Sequence, residues 1–288
     1  MCGVAGFFGS FEQSLLEDMN LAQSHRGPDN YNTWSDIDNH IGLAHRRLSI
    51  RDLSSAGNQP LFSKCRNVCI VYNGEIYNTR KLFEELIIDG YKFSSTSDTE
   101  IILNLYLKYG IEILSKLNGI FAFAIWDKRN KELFLARDGM GVKPLYYSET
   151  SKGFIFASEI KALLKEKTLS HEINPLALVS HITYLWSPAP ATMLKNVCKL
   201  NPGSALLVKE GKVFKNWKFF STFYNQNISD ISFSNAKSEI RNSIKNAVER
   251  QMVSDVPVGT FLSGGLDSSA ITTFAKDIVG AENLKCFT

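Results

Sequence analysis

Apolar residues along this chain alternate between strand-like runs and stripes at helical spacing. Residues 68–72 form an unbroken run of β-formers that ends at Asn73-Gly74, a dipeptide characteristic of hairpin turns. Leu82, Phe83, Leu86 and Ile87 then fall on one side of a helix, with Thr79 as its N-cap and Gly90 just past its end. Ser97-Asp98-Thr99-Glu100 has capping-box spacing ahead of a second stripe, Ile101, Ile102, Leu105 and Tyr109, closed by Gly110. Residues 120–126 are apolar on both faces, which predicts a strand buried between layers, and a polar turn at 127–131 returns the chain into a partner at 132–136. Further strands are expected at 154–157 and 205–208. A sheet apolar on both faces, with amphipathic helices beside it, predicts a layered α+β domain over residues 1–218.

Around 220–234 the chain turns Asn/Ser-rich and irregular, and residues 219–236 are expected to form a linker. The remainder, 237–288, begins with a helix carrying Ile240, Ile244, Ala247 and Val248 along one side. A strand at 256–262, a tight loop at 263–265, a helix at 267–279 and a strand at 284–288 follow. That succession is the start of an open α/β sheet. So short a stretch cannot complete such a sheet, so the chain is expected to be a fragment of a longer protein. An unfinished apolar edge predicts poor solubility or homodimerisation.

Composition narrows the class. The 32 basic side chains are dispersed among 29 acidic ones, for a net charge of +3, so no basic stripe offers a nucleic-acid or membrane footprint. No apolar run is long enough to span a bilayer, and the N-terminus lacks the regions of a secretory signal. Five cysteines (Cys2, Cys65, Cys69, Cys198, Cys286) form an odd, scattered set, which argues against disulfides and a zinc site. All except Cys2 read as buried free thiols in a reducing cytoplasm.

Cys2 is different because of where it stands. Removal of the initiator methionine would leave a thiol and a free α-amine on one residue, a nucleophile carrying its own base. Ordinary pKa values of about 8.5 for the thiol and about 7.7–8.0 for the amine make proton transfer between them nearly isoenergetic. A second constellation is Ser263-Gly264-Gly265-Leu266-Asp267-Ser268-Ser269, between a strand and a helix. Its glycines let the backbone approach an anion, its amides and the helix N-terminus favour phosphate, and Asp267 could hold magnesium against phosphate oxygens. No lysine follows the glycines, so this is not a Walker loop.

The 263–269 loop is similar to the pyrophosphate loop of the ATP pyrophosphatases, and together with Cys2 it resembles the glutamine-hydrolysing asparagine synthetases. Other segments resemble the same family: Ser24-His25-Arg26-Gly27-Pro28-Asp29, Leu43-Ala44-His45-Arg46-Arg47-Leu48-Ser49-Ile50, Asn73-Gly74-Glu75-Ile76-Tyr77-Asn78, Ser97-Asp98-Thr99-Glu100 and Ala136-Arg137-Asp138-Gly139-Met140-Gly141-Val142-Lys143-Pro144-Leu145-Tyr146-Tyr147. The fold implied is a four-layer αββα N-terminal-nucleophile hydrolase domain, followed by the truncated start of an α/β adenine-nucleotide α-hydrolase domain.

The resemblance also implies roles. Cys2 would attack the side-chain amide of L-glutamine, with Asn73 and Gly74 as oxyanion donors. Arg47 would grip the substrate α-carboxylate, although Arg46 and Arg51 lie close enough in sequence to leave the choice open. Glu75 and Asp98 would receive the α-ammonium group, and Leu48 and Ile50 complete the glutamine site. For Asp98 a favourable carboxylate in the first turn of a helix is the plainer reading, and for Asn73-Gly74 a turn. Neither His25 nor His45 is assigned a catalytic role. Ammonia would pass to the second domain, where ATP with Mg2+ activates L-aspartate as an acyl-adenylate on Leu262, Ser263, Gly264, Gly265, Asp267, Ser268 and Ser269. The glutaminase half-reaction needs no cofactor. A sugar acid or peptide could replace aspartate as acceptor, and retention of Met1 would imply a non-catalytic glutamine-binding domain. Alone, this chain is expected to be limited to glutamine hydrolysis.

Overall fold

The computed structural model describes residues 1–222 and 230–288. Two units emerge, Met1–Ser221 and Thr222–Thr288. In chain order, the first contains β1 (Gly3–Gly9), α1 (Gln13–Ala22), β2 (Asn30–Asp36), β3 (Ile41–Arg47), β4 (Leu61–Phe62), β5 (Val68–Ile76), α2 (Thr79–Ile88), α3 (Asp98–Tyr109), β6 (Gly119–Asp127), β7 (Glu132–Arg137), β8 (Tyr146–Thr150), β9 (Gly153–Ala157), α4 (Ile160–Leu163), α5 (Pro175–Tyr184), β10 (Cys198–Lys199), β11 (Ser204–Lys209) and β12 (Lys212–Lys218). They build two antiparallel sheets, in the orders β10-β8-β9-β1-β3-β2 and β12-β11-β7-β6-β5-β4.

The doubly apolar strands explain the layering. Along β6, Phe121, Phe123 and Ile125 meet Leu82 and Leu86 of α2 and Ile102 and Leu105 of α3. The alternate residues Ala122, Ala124 and Trp126 meet Phe8, Leu43, Phe154 and Phe156 of the other sheet. That sheet's far face, with Ala5, Phe7, Ile155 and Ala157, packs on Leu15, Leu16 and Met19 of α1 and Ala162 and Leu163 of α4. Helix, sheet, sheet, helix is the expected αββα order.

The second unit contains α6 (Phe233–Gln251), β13 (Gly259–Phe261), α7 (Leu266–Val279) and β14 (Lys285–Phe287), the two strands pairing in parallel. Val248 of α6 packs on Phe274 and Ala275 of α7, while Ile240 and Ile244 remain exposed. The strand expected at 256–262 shortens to β13. Of the expected linker, residues 223–229 lie outside the described residues, and 233–236 already belong to α6.

Several local expectations are corrected. Asn73-Gly74 is no turn: β5 continues through it and pairs with β6, Asn73 opposite Ala122 and Gly74 opposite Phe121. Thr79 is the first helical residue of α2, not its cap, a position Asn78 takes without a side-chain hydrogen bond. The capping box of α3 is half formed. The Ser97 hydroxyl accepts from the Thr99 N–H, but Glu100 reaches the Ser94 and Ser95 N–H groups instead of Ser97. All five cysteines are free, yet Cys65 and Cys286 are exposed, because they lie in a turn and on an uncovered strand. No helix among the described residues is long and apolar enough to cross a membrane.

Candidate active site

Cys2 stands at the head of β1, whose first residue pairs with Arg46 on β3. Leu48, just past the end of β3, brackets the sulfur: its N–H donates to Cys2 Sγ at 3.4 Å, and the thiol donates to its carbonyl at 3.6 Å. Arg26 fixes the main chain, its Nε donating to the Cys2 carbonyl at 2.8 Å while Nη1 pairs with Glu159 at 3.0 Å. Burial pushes the Cys2 thiol above its ordinary pKa, opposed by the Leu48 N–H and by the terminal amine. Burial also lowers the terminal ammonium at Met1, helped by Arg26 and Lys143.

A narrow cleft is lined by Cys2, Arg47, Leu48, Ile50, Gly74, Glu75 and Asp98. Asn73 lies behind this lining, 1% exposed. It shares the strand face of Cys69 and Val71, which point between the sheets. Its side-chain Nδ2 is buried without a hydrogen-bond partner among the described residues. Gly74 is required by close approach: a Cβ there would stand 2.4 Å from the Ile120 carbonyl and 2.8 Å from Phe121 Cα.

Asp98 opens α3 and is buried. Its Oδ2 accepts from the Tyr72 hydroxyl at 2.8 Å and the Ile76 N–H at 3.0 Å. Arg51 Nη1 lies 3.9 Å from both Asp98 Oδ2 and Glu75 Oε2. Burial raises the Asp98 carboxyl, against the pull of Arg51, the Ile76 N–H and the Tyr72 hydroxyl. The two carboxylates expected to hold an ammonium group are therefore together.

Arg47 differs from expectation. Its Nη1 donates to the Ser54 carbonyl and Asn58 Oδ1, each at 2.7 Å, and its Nη2 donates to the carbonyls of Arg51 and Asp52. A free guanidinium fork is thus not presented to the cleft. The arginine instead holds together the loop after β3 that forms one wall. His45 is a core residue: Nε2 bonds the Tyr72 carbonyl at 3.0 Å, and burial lowers its pKa to about 3. His25 pairs with Glu159 at 2.9 Å.

In the second unit, Gly265 is the N-cap residue of the 14-residue helix α7, and Gly264 adopts φ +79° with open space beside it. Ser263 Oγ and Ser268 Oγ lie 3.0 Å apart, and Ser268 Oγ donates to the Gly265 carbonyl at 3.1 Å. Asp267 is exposed in the first helical turn, and Ser269 follows it. Backbone amides at an open helix end fit a phosphate group. Leu262 donates its N–H to the Phe287 carbonyl at 2.7 Å, so a contact to a nucleotide would fall to its carbonyl. No cluster of three or more His, Cys, Asp or Glu side chains suited to a metal occurs among the described residues.

A family profile for the glutamine amidotransferase domain matches residues 1–220. The chain belongs to the glutamine amidotransferase family. A second profile, asparagine synthase, matches residues 239–288. The chain is 39% identical to asparagine synthetase [glutamine-hydrolyzing] 1 of Bacillus subtilis over 287 residues, covering 96% of this chain and 44% of the relative. It is 33% identical to the amidase chry2 of Gibberella zeae over 297 residues, covering 97% of this chain and 43% of that one. The chain thus spans less than half the length of these relatives. Among solved structures, glutamine phosphoribosylpyrophosphate amidotransferase from B. subtilis matches with a TM-score of 0.56 at 18% identity, over 97% of this chain and 64% of that one. That likeness concerns the fold: the layered two-sheet architecture described above is shared with that structure.

The cleft also takes in Gln59 and Tyr72, which carried no functional signal in the sequence, and Arg51, which the sequence offered only as an alternative to Arg47. Gln59 accepts from the Tyr72 N–H at 2.6 Å and donates to Thr99 Oγ1 at 3.1 Å, tying the wall loop to β5 and α3. Their sequence signal was weak, since each is a single polar residue whose partners are distant along the chain.

Proposed function

We propose that this chain hydrolyses glutamine at Cys2 and forms the glutaminase part of a longer enzyme that transfers the ammonia to an activated carboxylate. The observation that carries the reading is the bracketed Cys2 sulfur sharing one cleft with Gly74, Glu75 and Asp98. After loss of Met1, the Cys2 amine would take the thiol proton. The sulfur then bonds to the carboxamide carbon, and the carbonyl π electrons move to oxygen, where Asn73 Nδ2 and the Gly74 N–H would donate. Collapse breaks the C–N bond, the amine's proton leaves with ammonia, and water hydrolyses the thioester to glutamate and restores the thiol.

Glu75 and Asp98 would receive the substrate ammonium beside Arg51. Arg47 would reach the substrate carboxylate by giving up one of its loop carbonyls. In the second unit, the 263–269 loop fits a pyrophosphate group at the start of α7, with Asp267 as the Mg2+ carboxylate. ATP would there supply activation of the acceptor, read as aspartate from the resemblance to asparagine synthetases. A second reading keeps the same chemistry with another carboxylate acceptor, a sugar acid or peptide, because the chain's relatives are not all named asparagine synthetases.

The test is glutamate release from glutamine by the 288-residue chain, with intact mass to establish loss of Met1. Cys2→Ala should abolish release, and turnover at the original rate would remove Cys2 as the nucleophile. Asparagine formed by this polypeptide alone from aspartate, ATP and glutamine would overturn the restriction to hydrolysis.

A further inference from the structure

Loss of Met1 would make Cys2 the end of the chain, and chain ends fray unless they are tied down. Three successive residues leaving β9 tie this one. Ala157, the last residue of β9, pairs with Ala5 of β1. Ser158 takes Val4 at both main-chain groups: its Oγ accepts from the Val4 N–H at 3.0 Å, and its N–H donates to the Val4 carbonyl at 2.8 Å. Glu159 comes next and reaches Cys2 through Arg26. Its Oε1 accepts from Arg26 Nη1 at 3.0 Å, and Arg26 Nε donates to the Cys2 carbonyl at 2.8 Å.

The same carboxylate has two further contacts. His25 Nε2 lies 2.9 Å from Oε1, and Lys161 Nζ lies 3.3 Å from both Oε2 and His25 Nδ1. Those two side chains are about half exposed, so water screens them. Arg26 is different. Its side chain is 9% exposed, and Nη2 is buried without a hydrogen-bond partner among the described residues. A guanidinium so placed takes its direction from the bonds it does make, and the one to Glu159 joins opposite charges. Because Arg26 holds the Cys2 carbonyl and Leu48 the sulfur, the Cys2 Cα is fixed between them, and with it the bond to the amine.

We propose that Glu159 is a positioning residue of the nucleophile site, orienting Arg26 so that its Nε fixes the Cys2 main chain and aligns sulfur and amine for attack. The inference rests on the glutaminase reading for its purpose. Glu159 does not line the cleft and acts only through Arg26. Its side chain is 21% exposed, so water can take its place at Nη1. Water would solvate the guanidinium without fixing its direction. Removing the carboxylate therefore costs little stability, as for other partly exposed ion pairs. It costs rate, because misplacing a reacting group by about 1 Å can lose about 10²-fold.

The experiment compares Glu159→Leu and Glu159→Gln with wild type in the full chain, by hydrogen exchange read on peptides and by glutamate-release kinetics. Glu159→Leu is expected to lower kcat by about 10–10²-fold with KM within about threefold, and to raise exchange by about threefold or more in the N-terminal peptide alone. Glu159→Gln keeps an acceptor oxygen for Nη1 and should lose less on both readouts. In an Arg26→Lys background, where no fork joins the two partners, Glu159→Leu should raise that exchange by less than about twofold further. Wild-type exchange at the N-terminal peptide in a folded Glu159→Leu overturns the proposal, as does a rise in KM with kcat unchanged. A full additional effect on top of Arg26→Lys overturns it as well. Exchange raised evenly across Met1–Ser221 would make Glu159 a residue of the fold, and the proposal is equally lost. If Glu159→Leu does not fold, Glu159→Gln decides: reduced kcat with exchange raised only at the N-terminal peptide supports the proposal, and wild-type values overturn it. Wild-type chain that releases no glutamate would defeat the glutaminase reading alone, because exchange at the head of β1 is measured without glutamine.

Discussion

Asn73→Leu separates a catalytic role for this side chain from a structural one. Leucine keeps the branching and the number of heavy atoms but removes the amide. In the structure Nδ2 is a buried donor without a protein partner. Leaving such a group unpaired costs about 1–3 kcal/mol of stability, and its replacement by an apolar group of like shape relieves that cost. For a unit the size of Met1–Ser221, each kcal/mol corresponds to about 2–4 °C in the unfolding midpoint. Asn73→Leu should therefore melt at or several degrees above wild type. Loss of one oxyanion donor, in contrast, lowers kcat by roughly 10²–10³, about 2.7–4 kcal/mol of transition-state stabilisation. Paired thermal melts and glutamate-release assays at saturating glutamine measure both. A variant that loses stability in step with activity would make Asn73 a structural residue. Glutamate release within tenfold of wild type would remove it from the oxyanion site.

Two more expectations follow from local geometry. Gly74→Ala places a Cβ against backbone atoms of β6, so the ladder must part, and stability should fall by about 1–3 kcal/mol together with activity; a melting midpoint unchanged to within a degree would contradict the contact. His45 is held neutral in the fold down to about pH 3, whereas in the unfolded chain it protonates near its ordinary 6.5. The unfolded state then binds more protons between those values, so His45 destabilises the fold progressively as pH falls below 6.5, by about 1.4 kcal/mol per unit. His45→Gln should lose about 2 kcal/mol less than wild type in urea unfolding between pH 7 and pH 5, and equal losses would show that His45 is not the group titrating.

Strand and helix positions were legible because layering leaves a strong imprint on sequence. A run such as 120–126 can be apolar at every position only if both faces are buried, and the structure puts one face on helices and the other on a sheet. Helix ends at Gly90 and Gly110 were readable for a local reason, as both take positive φ. Cys2 and the 263–269 loop were visible because their chemistry lies in consecutive residues.

Tertiary structure decided the rest. By local sequence Asn73-Gly74 is a turn, but nine consecutive pairings between β5 and β6 hold it extended, and strand alternation then puts the Asn73 amide between the sheets. Arg47 had the composition of a carboxylate grip, yet the loop that folds back over it supplies four acceptors. Lys143 was legible only as one letter of a family-like segment, and its burial follows from Arg137 and Asp138 holding its carbonyl and N–H. Periodicity records which faces are covered. Which charge meets which partner depends on residues far apart in the chain, and that is settled only when the layers close.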